Sequence, residues 1–170
     1  MTTTGTTHAT LTRRIGALTL TLPSDTEIVM SRAFDAPRAL VFLAHSSCEH
    51  IRQWWGRRDH TMPECRMDFR PGGAWRFVNR DAEGNEYAFY GEYREIVEPE
   101  RIDWTFGFEG MPGAPGLETM RLEEHDGRTT LTTRSFFGSL EERDAVIRSG
   151  MEDGAAETWD RLAEHLARIA

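Results

Sequence analysis

Apolar and polar residues alternate along most of this chain, and the period changes near its end. Leu18, Leu20 and Leu22 alternate with Ala17, Thr19 and Thr21, the pattern of a strand with one apolar face. Pro23-Ser24-Asp25 reads as a turn. Ile28, Met30, Arg32 and Phe34 then alternate with Glu27, Val29, Ser31 and Ala33 in a second strand. Asp35-Ala36-Pro37 is a helix-start signal, with Asp35 as the cap and Pro37 in the first turn. A short helix is predicted around Leu40–Ala44, and a second over Cys48–Trp55 that ends at Gly56.

From Cys65 onward the two-residue period returns. Met67 and Phe69, then Trp75 and Phe77, occupy alternate positions on either side of the Pro71-Gly72-Gly73 turn. Glu83-Gly84-Asn85 reads as a hairpin turn. Tyr87, Phe89, Gly91 and Tyr93 share one face of the next strand. Ile102, Trp104, Phe106 and Phe108 share a face of the one after the Glu98-Pro99-Glu100 turn. A Gly/Pro-rich loop to Gly116 leads into strands around Glu118–Glu124 and Thr129–Phe136.

From about Leu140 the period is helical. Met151, Ala155, Thr158, Leu162, Leu166 and Ile169 form one stripe on a long amphipathic helix, with Trp159 beside it. Gly150 and Gly154 each weaken a helix interior by roughly 1 kcal/mol relative to alanine. Close approach to a sheet or ligand is the expected reason for them. The order of elements predicts an α+β fold: about six to eight antiparallel strands, with one long C-terminal helix to cover their apolar face.

Composition narrows the chemistry. The 170 residues suit one domain, with 1–14 expected as a flexible, Thr-rich tail and 15–170 as the domain. A net charge of -8 argues against a general nucleic-acid binder. All 20 basic residues are arginine, which excludes lysine Schiff-base chemistry and a P-loop lysine. Cys48 and Cys65 are expected to be free thiols rather than a disulfide framework. The six histidines show no metal-ligand spacing. No cofactor or metal is expected, and no bilayer-spanning stretch or signal peptide is seen. A cytoplasmic location is the default expectation.

Particular residues make the chain specific. They are Arg32-Ala33-Phe34-Asp35-Ala36-Pro37, Leu40-Val41-Phe42, Glu49-His50-Ile51-Arg52-Gln53-Trp54-Trp55-Gly56, and above all Met67-Asp68-Phe69-Arg70-Pro71-Gly72-Gly73 with Trp75-Arg76-Phe77. Gly91, Glu95-Ile96-Val97, Pro99-Glu100-Arg101 and Gly150-Met151-Glu152-Asp153-Gly154 follow in order. In order and spacing the chain resembles the SRPBCC (START-like) superfamily, and within it the branch named for the activator of heat-shock protein 90 ATPase. Cys48 stands where that family usually has proline, and Ala155 where it often has tryptophan. The resemblance implies a helix-grip fold. A curved antiparallel sheet wraps the C-terminal helix, and two short helices after the first family strand close one end. The cavity binds small apolar molecules in many members.

The candidate cavity-lining residues are Trp54, Trp55, Phe69, Trp75, Phe77, Tyr87, Phe89, Tyr93, Trp104, Phe106, Met151, Ala155 and Trp159. So many rigid rings on a curved sheet tend to leave a pocket, although a fully filled core is the alternative. Consecutive helical residues point about 100° apart, so at most one of Trp54 and Trp55 is expected to face the pocket. Asp68 and Arg70 read as an exposed ion pair beside a glycine turn rather than a substrate clamp. His50 and His60 flank the Trp pair, mainly as surface residues. No catalytic constellation is recognisable. The leading expectation is a binder of a small apolar or aromatic molecule, with a homodimer possible and no nucleic-acid or membrane partner. The alternatives are a polyketide cyclase or hydrolase-like enzyme and a modulator of a partner such as a chaperone.

Overall fold

In the computed structural model, residues 11–111 and 113–170 are described. Nine strands and four helices are present among them. Leu11–Ile15 is β1, Leu18–Leu22 is β2 and Glu27–Phe34 is β3. After α1 (Arg38–Ala44) and α2 (Cys48–Trp54) come β4 (Thr61–Met67), β5 (Ala74–Arg80), β6 (Glu86–Val97), β7 (Arg101–Phe108), β8 (Gly116–His125) and β9 (Arg128–Phe136). The chain ends in α3 (Leu140–Arg148) and α4 (Met151–Ile169).

All nine strands form one sheet in the order β1-β2-β3-β9-β8-β7-β6-β5-β4, and every pairing is antiparallel. The single long-range step brings β3 beside β9. Short turns make the rest, as expected for sequential antiparallel strands. The sheet exceeds the predicted six to eight strands because the end of the Thr-rich segment, Leu11–Ile15, pairs with β2 instead of hanging loose. The first ten residues of the expected tail lie outside the described residues.

Alternation decides which face each strand buries. Leu18 and Leu20, Ile28 and Met30, Trp75 and Phe77, Ile102 and Trp104, Met120 and Leu122, and Leu131 all fall on the concave face and are buried. From α4, Trp159, Leu162, His165 and Leu166 are buried against that face. The helix's contact line is therefore centred on Trp159–Leu166, one residue round from the predicted Thr158 position. The resulting grip of sheet on helix is the α+β helix-grip architecture.

Three local expectations are corrected. The C-terminal helix is broken: Gly150 adopts φ 81° as the N-cap of α4 and separates it from α3. Gly150 is thus a left-handed junction, and at Gly154 an added Cβ would meet only the Arg57 guanidinium at an ordinary 3.5 Å. Neither glycine marks a close approach. Asp35 does not cap α1; Pro37 is the N-cap, the Arg38 N–H donates to Glu124 at 2.7 Å, and Asp35 accepts from Arg128. Finally, Cys48 and Cys65 are not free thiols but a disulfide, with Cα atoms 5.8 Å apart. It ties the start of α2 to β4.

Candidate functional site

The aromatic residues singled out from the sequence come together on the concave face of β5, β6 and β7. Register explains this. Phe77 pairs with Phe89, Phe89 with Phe108, and Tyr93 with Trp104, so their side chains stand side by side. The Trp75 and Trp104 rings stack at 4.6 Å, and Phe106 lies 5.3 Å from Trp75. Gly91 makes the stack possible. A Cβ there would sit 1.8 Å from the Thr105 carbonyl oxygen and 2.7 Å from Trp75 Nε1. Without it, the Trp75 indole reaches across β6 and donates to Thr105 O at 3.2 Å.

The two consecutive tryptophans separate as helix geometry requires. Trp54 is fully buried and donates through Nε1 to Ala44 O at 3.0 Å. Trp55, the C-cap of α2, extends over the aromatic wall, with ring centroids 5.0 Å from Phe77, 6.1 Å from Phe106, 6.2 Å from Phe89 and 6.3 Å from Trp104. The centre of the expected apolar cavity is therefore occupied by the protein's own Trp55. Its backbone is held from α4: Arg161 donates to the carbonyls of Gln53, Trp55 and Gly56 at 3.3, 3.2 and 2.9 Å. A cation there also complements the carbonyl end of α2. Gly56, at φ 94°, turns the chain away directly above Asn79, where a Cβ would come within 2.5 Å.

The wall is sealed at one end and half open at the other. Tyr93, Ile102, Met120, Leu122 and Leu131 are buried at the sealed end, and Trp104, also buried, stands between the two ends, next to Tyr93 and Phe106. Tyr87, Phe89, Phe106, Phe108 and Trp55 keep part of their surface exposed. At this end lies α3, which has no buried residue but packs Val146 and Ile147 against the core. Met151 and Ala155, at the start of α4, are half-buried there too.

Other candidates fall elsewhere. Phe69 packs between Phe42 and Tyr93 at the sealed end, with centroids 5.8 and 5.1 Å away. Trp159 packs edge-on against Phe34 at 6.3 Å. The Tyr87 hydroxyl donates to Asp81 at 3.1 Å, within the β5–β6 hairpin. The Tyr93 hydroxyl is buried without a protein partner, and burial pushes it well above the ordinary phenol range. Asp68 accepts from Arg70 Nε at 2.9 Å in an exposed pair, held by the Gly73 turn. His60 stacks flat on Tyr87 at 5.6 Å. His50 instead faces α4, with Nδ1 3.0 Å from His165 Nε2. Two shallow hollows of about 520 and 530 Å³ lie away from all of these, one beside Arg94, Asp103 and Leu117, the other beside Leu40, Leu43 and Ile169.

One residue of the site was missed from the sequence. Glu118 opposes Trp104 on one side and Ser135 on the other, so it shares the concave face with the aromatic wall. Its carboxylate accepts from Trp104 Nε1 at 3.2 Å and from Ser135 Oγ at 2.9 Å. Burial raises its pKa, against the opposing effect of the Ser135 and Trp104 hydrogen bonds. The signal was present in the alternation: Met120 and Leu122 are apolar at the same parity, which leaves Glu118 as a charged residue in an apolar register.

A family model described as Activator of Hsp90 ATPase homolog 1-like protein matches residues 35–167. Among solved structures, a Rhodobacter sphaeroides protein is 25% identical and superposes with a TM-score of 0.82, covering 90% of this chain and 99% of its own. A Nitrosomonas europaea protein is 22% identical with a TM-score of 0.77, covering 87% and 98%. The AHSA1 protein from Silicibacter pomeroyi is 23% identical with a TM-score of 0.68, covering 85% and 99%. No curated protein matches the chain. Among the described residues no helix is long and apolar enough to cross a membrane, and no group of three or more His, Cys, Asp or Glu side chains is placed to hold a metal ion.

Proposed function

The chain belongs to the family of Activator of Hsp90 ATPase homolog 1-like proteins, and on that premise we propose that it binds a small apolar or aromatic molecule at the half-open end of its concave face. The observation that carries this reading is the continuous row of incompletely buried rings, Trp55, Phe89, Phe106 and Phe108. Rings of this size normally bury themselves on folding. A molecule that covers about 200 Å² of such surface gains roughly 5 kcal/mol before ordering losses. Micromolar affinity is the expected scale.

The test is a titration with naphthalene-bearing probes, followed by tryptophan fluorescence and melting temperature. Saturable binding that Phe106→Ala weakens by about tenfold, with the variant still folded, supports the reading. No response across varied scaffolds overturns it. The cyclase or hydrolase alternative uses the same cleft and has Glu118 as its supporting observation, since a carboxyl raised by burial suits proton transfer. A cytoplasmic location belongs to the proposal. Disulfides are uncommon in that compartment, so the Cys48–Cys65 bridge weighs against it, and fractionation of cells producing the protein checks the location: recovery outside the cytoplasmic fraction overturns it. No observation favours a chaperone partner or a homodimer over these readings.

A further inference from the structure

We propose that the ligand carries a protonated amine, and that Glu118 is its anchor. The inference rests on the binding site proposed above and names the class of molecule that site takes.

Glu118 stands at the edge of the half-open end, beside Trp104 and one strand away from Phe106. It makes no ion pair among the described residues, although fifteen arginine–carboxylate pairs occur among them. Arg32 and Arg13 of the sheet are paired with Asp160 and Glu152 of α4, at 2.5 and 2.8 Å. Glu118 has two neutral donors, Trp104 and Ser135. A carboxylate has about four acceptor positions, so capacity remains. A partly buried carboxylate without a counter-charge is unfavourable. An incoming cation supplies that charge.

The surroundings favour an ammonium in particular. The faces of Trp and Phe rings attract cations; Trp104 turns its N–H edge to Glu118 and is stacked on Trp75 and Tyr93, so the rings left for this are Phe106, Phe89 and Trp55, with centroid spacings of 5.8 and 6.2 Å. An ammonium on Glu118 lies at one end of that row. A one- or two-ring hydrocarbon body fits along the remainder. The net charge of -8 attracts cations over anions at longer range.

The test uses three probes with one body: naphthylethylamine, naphthylethanol and naphthylacetic acid, titrated calorimetrically into wild type and Glu118→Gln. The wild type is expected to bind the amine about tenfold tighter than the alcohol, and the acid weakest. Glu118→Gln keeps the side-chain shape and a hydrogen-bonding oxygen. It is expected to lose the amine's advantage while still binding the alcohol measurably, and a melting temperature at pH 7 no lower than that of the wild type shows that it is folded. Equal affinity for amine and alcohol, or preference for the acid, overturns the inference and leaves the binding site standing. Retention of the amine's advantage in Glu118→Gln assigns the preference to another group and also overturns it. Failure of all three probes to bind the wild type overturns the binding site itself, and the inference with it.

Discussion

The two ends of the concave face are built from the same kinds of residue but are covered differently. At the sealed end, Tyr93, Ile102, Met120, Leu122 and Leu131 meet α1, α2 and the Trp159–Leu166 stretch of α4, and all are buried. At the half-open end, Phe89 and Phe106 meet Trp55, and Tyr87, Phe89, Phe106 and Phe108 all stay partly exposed. Aromatic content alone does not distinguish a core from a site. The cover does. The sealed end is covered by the buried stretch of α4, the other by the half-buried ring of Trp55.

Substitutions at the sealed end should act on stability, and those at the open end on binding. The largest effect is expected for Trp54→Ala, which empties a fully buried volume and orphans the Ala44 carbonyl oxygen. A loss of about 3–5 kcal/mol by urea unfolding is expected, with no selective change in probe affinity where the protein is still folded.

Next is acid. His45 is buried with Nδ1–H donating to Val41 O at 2.7 Å, and burial pushes its pKa from 6.5 down to about 4. The unfolded chain thus takes up a proton that the folded one refuses. The stabilisation is present above 6.5 and is lost as pH falls towards 4, by about 3 kcal/mol in all. His165 is also lowered, chiefly by burial, and adds in the same direction. Glu118, raised by burial, acts oppositely: its contribution is present at low pH and declines as pH rises. Urea midpoints between pH 7 and pH 4 measure the sum. His45→Asn, which can still donate to Val41 but does not titrate, should remove most of the slope.

Trp55→Ala tests the other end. It is expected to lower stability by only about 1–2 kcal/mol, since the ring is half-buried, while shifting probe affinity by at least roughly fivefold. A stability loss equal to that of Trp54→Ala would erase the distinction between the two ends. The smallest effect is expected for Arg70→Gln, which breaks the exposed pair with Asp68. A change under about 0.5 kcal/mol in the urea midpoint, and unaltered probe binding, would confine this stretch to shaping the turn.

Much of the fold was legible because period-two alternation is a local signal. The strands after Cys65, the two short helices and the aromatic face all follow from it. What the alternation could not carry was geometry. Leu11–Ile15 has few apolar residues, and only its pairing with β2 makes it a strand. The break at Gly150 depends on a backbone angle, not on the apolar stripe that runs through it. The Cys48–Cys65 bridge depends on α2 folding back onto β4. The site was half legible for the same reason. Thirteen candidates were named by residue type and parity, but whether a ring is core or wall depends on the helix above it. Glu118 was passed over because a single charged residue in a strand resembles an ordinary surface position until its neighbours are known.

The five tryptophans provide the most direct measurement of the central claim. Their indole N–H resonances, assigned by single substitution and followed by NMR during titration with naphthylethanol, report on both ends of the same face. The Trp55 and Trp104 signals should move saturably, while those of Trp54 and Trp159 stay in place. Movement of Trp54 and Trp159 to the same extent, or no movement of Trp55 and Trp104 when binding is seen by another method, would contradict the account.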